Sequence, residues 1–181
     1  QMPRYKPAQR NGMFIPVIFE EQIQPGTFEF ALQHLVDMEL DLDGERYYVI
    51  RNVDEMPPFL VSVVSSADHW LFVSSSGGLT AGRVSPETAL FPYVPVDKVH
   101  ECSPHTGCRT ILRINRQGRQ VLWEPFNREH DGRFATRRNL YKSVLGNKLC
   151  FEEVNHDLAL AFRYTWATSD AHGFVRQCEL Q

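Results

Sequence analysis

From Phe28 to Leu42 the chain alternates apolar and polar residues one by one, and this pattern limits its fold more than any other feature. The apolar set is Phe28, Phe30, Leu32, Val36, Met38, Leu40 and Leu42, with His34 the exception, and the residues between are mostly polar. A period of two means extended chain with one dry face and one wet face. Fully extended, the run would reach about 50 Å at roughly 3.4 Å per residue. An ordinary strand is shorter, so a bend or break is expected near His34-Leu35. Asp43-Gly44 has the composition of a hairpin turn, and Arg46 to Ile50 reads as the returning strand.

The remaining chain continues in the same manner. Phe59 to Ser65 and Trp70 to Ser75 are apolar on both faces, which predicts central strands covered above and below. Thr110, Leu112 and Ile114 form one apolar face, Gln117-Gly118 turns the chain, and Gln120 to Glu124 returns. The polar segment 127–139 reads as a loop. Leu149 to Val154, Leu158 to Ala167 and Phe174 to Leu180 read as strands. About ten strands at short spacing with no convincing helix predict an all-β fold, an antiparallel β-sandwich or barrel. The sandwich domain is placed at 28–181. Residues 1–27, with Pro3, Pro7, Pro16 and Pro25, are read as an N-terminal arm or edge segment. Residues 76–108 carry many glycines and prolines and form a long excursion, where connections usually run about 4–6 residues. Long excursions of this kind tend to serve function or an interface.

A length of 181 residues suits one domain. The net charge of −3 and the scattered Lys and Arg argue against a nucleic-acid surface. No run of about 18 apolar residues exists, which argues against a membrane partner. Four cysteines (Cys102, Cys108, Cys150 and Cys178) are too few for a disulfide scaffold, so reduced thiols in a cytoplasmic protein are expected. The first residue is Gln1 and the last residues end a strand-like run, so a piece of a longer chain is expected.

No complete catalytic set is evident. His100, Cys102, His105 and Cys108 place four soft ligands within nine residues, the chemistry of a tetrahedral zinc site. One tight loop strains such a tetrahedron, and a solvent-facing turn with incidental thiols is favoured. Glu152, Glu153, His156 and Asp157 offer acid–base groups. Adjacent strand residues point to opposite faces, so the two glutamates cannot share a site, and Asn155-His156-Asp157 reads more simply as a hairpin turn. Gly77 to Gly82 with Arg83 resembles a phosphate cradle but lacks the amphipathic helix that should follow it. A glycine turn that lets backbone pass closely is favoured. Trp70 and Trp166 lie in apolar strands and are assigned to the core. Trp123, Phe91 and Tyr93 stay open as flat faces for sugars.

Two stretches carry a family resemblance. One is Ser74-Ser-Ser-Gly-Gly-Leu-Thr-Ala-Gly-Arg83 with Ala89-Leu-Phe-Pro-Tyr93 and Asp97-Lys98. The other is Phe151-Glu-Glu-Val-Asn-His-Asp157, Phe162-Arg-Tyr-Thr-Trp166, Thr168-Ser-Asp170 and Gly173-Phe-Val-Arg176. Together they resemble the N-terminal β-sandwich (a super-sandwich related in shape to galactose mutarotase) of cellobiose-phosphorylase-like carbohydrate enzymes. The resemblance implies a non-catalytic domain that precedes an (α/α)6 helical barrel, makes dimer contacts and rims an oligosaccharide site. The family's general acid lies in the barrel, and no position here matches it. The parent would be a glycoside phosphorylase or glycoside hydrolase. Arg83, Tyr93 and Trp123 are the expected substrate contacts, and no cofactor is expected. Two rivals are a stand-alone carbohydrate-binding module and a small mutarotase-like or cupin-like enzyme. The enzyme would need His34 or His172 to converge with Glu152 or Glu124. A purely structural or assembly domain is a further rival.

Overall fold

The computed structural model describes residues 39–42, 44–65, 68–91, 94, 96–116 and 118–181. The N-terminal segment 1–27, most of the long alternation and its expected break at His34-Leu35 lie outside the described residues. The end of the alternation is strand β1 (Glu39–Leu42). It pairs antiparallel with β2 (Glu45–Arg51), with Leu42 opposite Glu45 and Gly44 in the turn at φ 80°. That is the expected hairpin.

The chain continues through β3 (Leu60–Val63), β4 (His69–Ser74) and β5 (Leu79–Arg83). Two single-turn helices follow, α1 (Val96–Val99) and α2 (Ser103–Thr106). Next come the hairpin β6 (Leu112–Arg116) and β7 (Arg119–Trp123), then β8 (Thr136–Ser143), β9 (Lys148–Asn155), β10 (Leu160–Ser169) and β11 (Gly173–Leu180). All strand pairing between these elements is antiparallel. A large sheet has the order β1-β2-β8-β9-β10-β11, a small one β3-β4-β5, and β6-β7 stands as a two-stranded ribbon.

Period two decides which side chains meet. On the large sheet Leu140, Phe151, Phe162 and Tyr164 share one face. They join Val63, Leu71, Val73 and Leu79 of the small sheet, together with Trp123, in one buried cluster. Two sheets closed on a common apolar layer make a β-sandwich, as the alternation predicts. Phe151 and Tyr164 stack at 4.8 Å with rings 11° apart. Each such buried side chain contributes about 1.5–3 kcal/mol by leaving water.

Three expectations need correction. Strand β4 is covered on one face only: Leu71 and Val73 are buried, whereas Phe72 is 41% exposed and packs beside Trp70 on the far side. Trp70 therefore belongs to the outer face and not to the core. The segment 76–108 is not one long loop, because its start is β5, whose first four residues are buried. The glycines there serve close approach, as expected. A Cβ on Gly78 would lie 2.2 Å from the Val99 carbonyl oxygen, and one on Gly82 would lie 2.4 Å from the Trp70 ring. Finally, the polar segment 127–139 already contains the start of β8. Arg138 and Asn139 are tolerated in this strand because Glu153 and Glu152 stand directly opposite them on β9.

Lys142 ties the sheets together from β8. Its Nζ donates to the carbonyl oxygens of Ser62 in β3 and of Gly146, the latter at 2.6 Å. Burial pulls its ammonium down to about 8 from an ordinary 10.5. Between those values the unfolded chain holds more protons than the folded one, so stability rises with pH and is lost as pH falls through 8. We expect the unfolding free energy to rise by about 1 kcal/mol more between pH 7 and 9.5 than it does in Lys142→Met, since solvent reaches the group and screens it. Urea denaturation at the two pH values measures this difference.

Candidate functional site

Two cavities adjoin the segment that runs from β5 to β6, and Cys108 lines both. The first is a polar cleft of about 270 Å³. One wall is built from Ser76, Gly77, His100 and Ser103, the other from the residues that follow β7. His100 is fixed by its Nδ1, 2.8 Å from the Ser74 hydroxyl, while Ser76 donates to the His100 carbonyl at 2.9 Å. Ser74 itself is fully buried. Its hydroxyl is shared between Ser76 and His100 and anchors both.

Across the cleft Arg109 Nε donates to Glu124 at 2.6 Å, and Asn127 donates to the other carboxylate oxygen at 2.9 Å. The Arg109 guanidinium, helped by Asn127 against the cost of burial, holds the Glu124 carboxyl below the usual carboxylate range. This pair was not singled out from the sequence, although a signal existed. The β6–β7 register sets Leu112 opposite Trp123, so the residues flanking the hairpin on either side must emerge side by side.

The second wall is held from below by Glu153. This buried carboxylate accepts from Trp123 Nε1 at 2.9 Å, from the Phe126 backbone N–H at 2.7 Å and from Arg138 Nε at 2.7 Å. Phe126 has φ 65°, a conformation costly for a large side chain. The Glu153 bond and an edge-on contact of its ring with Tyr164 at 5.2 Å keep it there. Arg138 makes a second ion pair with Asp131 at 2.8 Å.

Glu152 faces the opposite side of the sheet, as β geometry requires. Burial pushes its carboxyl up, but hydrogen bonds from Tyr141, Asn139 and Arg163 outweigh this and bring it below the usual range. Burial and the Glu152 acceptor push the Tyr141 phenol up. A carboxylate locked by three donors has no free proton chemistry. Asn155 accepts from the Leu158 N–H at 3.0 Å, a turn bond of the expected kind, while Asp157 accepts from the Ala135 N–H at 2.8 Å.

The second cavity, of about 430 Å³, lies between β4–β5 and the β10–β11 hairpin. It is walled by Leu79, Ala81, Phe91, Trp166 and Phe174, with Arg83 exposed at its rim. Of the expected substrate contacts, Arg83 therefore lines a cavity, and Tyr93 lies outside the described residues. Trp123 is only 1% exposed and bonded to Glu153, so it is a core residue and not a sugar platform. Trp166 is half-buried against the core. Glu124 lines the polar cleft and His172 the apolar cavity, while Glu152 lines neither. His34 lies outside the described residues. His172 therefore shares a cavity with neither Glu124 nor Glu152, whereas His100 and Glu124 both line the polar cleft.

His100, Cys102, His105 and Cys108 do not gather either. Among the described residues no three His, Cys, Asp or Glu side chains are arranged to hold a metal ion. His105 and Cys108 face solvent. No helix among the described residues is long and apolar enough to cross a membrane. No protein-family model matches the sequence, and no curated protein matches it in a sequence search.

The two stretches singled out in the sequence meet in space. Ser76 and Gly77 from the first face Tyr164 from the second in the cleft. Ala81 and Arg83 from the first face Trp166 and Phe174 from the second in the apolar cavity.

Proposed function

We propose that this chain is a non-catalytic β-sandwich domain of a carbohydrate-active enzyme of the glycoside phosphorylase or hydrolase type, and that its polar cleft forms part of the rim of an oligosaccharide site. The observation that carries this is the meeting of the two family-resembling stretches at one cleft, where Gly77 and Tyr164, 87 residues apart in sequence, face each other. The cleft's chemistry supports it. Arg109, Glu124, Asn127 and Arg128 offer paired donors and acceptors of the kind that sugar hydroxyls take, and Phe126 adds an apolar edge. Homodimer contacts and a cytoplasmic location belong to the same proposal.

The stand-alone carbohydrate-binding module has one observation in its favour. Trp70 and Phe72 lie side by side on the outer face of the small sheet, ring centroids 6.3 Å apart and tilted 41° to each other, two aromatic faces against which sugar rings can pack. Calorimetric titration with cello-oligosaccharides separates the two. The rim proposal expects affinity to fall about tenfold in Arg109→Ala, the loss typical of a hydrogen bond to a charged group, and to be unchanged in Trp70→Ala. The converse result favours the module. Undetectable binding in both the unsubstituted chain and the longer protein overturns both.

A further inference from the structure

Sandwich interiors are packed as densely as organic crystals and leave few voids larger than a water molecule. The 430 Å³ cavity between β4–β5 and β10–β11 is instead a cleft partly open to solvent, and its size falls in the range of small-molecule sites. Its walls are aromatic and aliphatic: Phe91, Trp166 and Phe174 with Leu71, Leu79 and Ala81.

His69, Arg83 and His172 line it too, beside Thr88, Thr106 and Cys108. His69 and Arg83 are direct cross-strand partners at the ends of β4 and β5, so their side chains leave the same face of the sheet side by side. His172, on the β10–β11 turn, lines the cavity with them. No acidic side chain among the described residues lines it. His69 packs edge-on against Phe174 at 6.1 Å, and its Nδ1 is buried with no hydrogen-bond partner. That nitrogen is closed to solvent, so a ligand in the cavity meets the rest of the His69 ring. Arg83 makes no ion pair among the described residues. A mainly apolar cavity lined by a guanidinium and two imidazoles, with no carboxylate among its described lining residues, is complementary to a flat apolar body that carries one anionic group.

We propose that this cavity binds a small aromatic carboxylate, with its ring between Trp166, Phe91 and Phe174 and its carboxylate at Arg83 and His69. The site is separate from the polar cleft and does not depend on the sugar proposal. An aromatic ring suits walls that are themselves flat rings, which gain from edge-to-face contact beyond simple burial. The carboxylate gains a charge-assisted bond to Arg83, stronger than a neutral one.

The test is titration of the whole chain with 2-naphthoate, followed by calorimetry and by tryptophan fluorescence. The comparison ligands are 2-naphthalenemethanol, which has the ring without the charge, and octanoate, which has the charge without the ring. The expected result is saturable binding of 2-naphthoate, at least about tenfold tighter than either comparison ligand. Arg83→Gln should reduce naphthoate affinity about tenfold and leave the alcohol unchanged, as expected for one charge-assisted bond. His172→Ala should weaken naphthoate in the same direction by a smaller factor. Arg83 and His172 are both exposed, so the variants keep the fold, and circular dichroism verifies it. Absence of saturable naphthoate binding, equal affinity for acid and alcohol, tighter binding of octanoate, or indifference to Arg83→Gln would each overturn the proposal.

Discussion

Glu153→Ala is expected to lower the unfolding free energy by about 3–5 kcal/mol, the range for removing one member of a buried ion pair, as read from urea denaturation. The carboxylate is 1% exposed and serves three donors from three places: the Trp123 indole, the Phe126 backbone and the Arg138 guanidinium. The substitution leaves Arg138 with Asp131 alone, a partner that is itself half in water. It also leaves the Trp123 and Phe126 N–H groups without acceptors. Because Phe126 holds a left-handed backbone conformation, loss of its bond should also release the wall of the polar cleft. Glu153→Gln keeps an acceptor oxygen for the indole and should cost roughly half as much.

Trp123→Ala should be comparably damaging, about 3–5 kcal/mol, as for other large aromatic truncations in cores. Trp123 is among the largest fully buried side chains of the described residues. Trp123→Phe retains most of the volume and removes only the indole donor to Glu153, so a loss of about 1–3 kcal/mol is expected. Since Trp123 and Glu153 share a hydrogen bond, Trp123→Phe and Glu153→Ala together should cost less than the sum of the two. Thermal and urea denaturation of the single and double variants measure this. If Trp123→Phe instead left stability intact and abolished oligosaccharide binding, the residue would be a sugar platform after all and the core assignment would be wrong.

The sandwich was legible because alternation is a local property. Leu158 to Ala167 alternates in sequence and forms most of β10, and Asp43-Gly44 marks the first hairpin without reference to anything distant. The opposite faces of Glu152 and Glu153 followed from the same geometry. What was not legible depended on partners far along the chain. The polarity of Arg138 and Asn139 suggested a loop, because nothing local says that β9 will set Glu153 and Glu152 opposite them. Trp123 lies next to a loop in sequence and looked available for stacking, but the Glu153 carboxylate draws its indole into the core. Trp70 looked like core because its strand is apolar throughout, yet it leaves the face of β4 opposite to buried Leu71 and Val73, where Gly82 gives its ring room. The segment His100 to Cys108, read as a solvent-facing turn in preference to a zinc loop, carries α2 and leaves His105 and Cys108 exposed. The Arg109–Glu124 pair was the one feature of the site within reach, since a correct hairpin register already brings the two flanks together.

The central claim is that these residues shape a sugar site without performing the reaction. The most direct measurement is turnover of β-linked gluco-oligosaccharides, with and without inorganic phosphate, by residues 1–181 alone and by the product of the reading frame carried past Gln181. The account predicts a downstream segment of several hundred residues with helical periodicity, sugar turnover only when that segment is present, and a KM raised about tenfold by Arg109→Ala with kcat little changed. Turnover by residues 1–181 alone would contradict it.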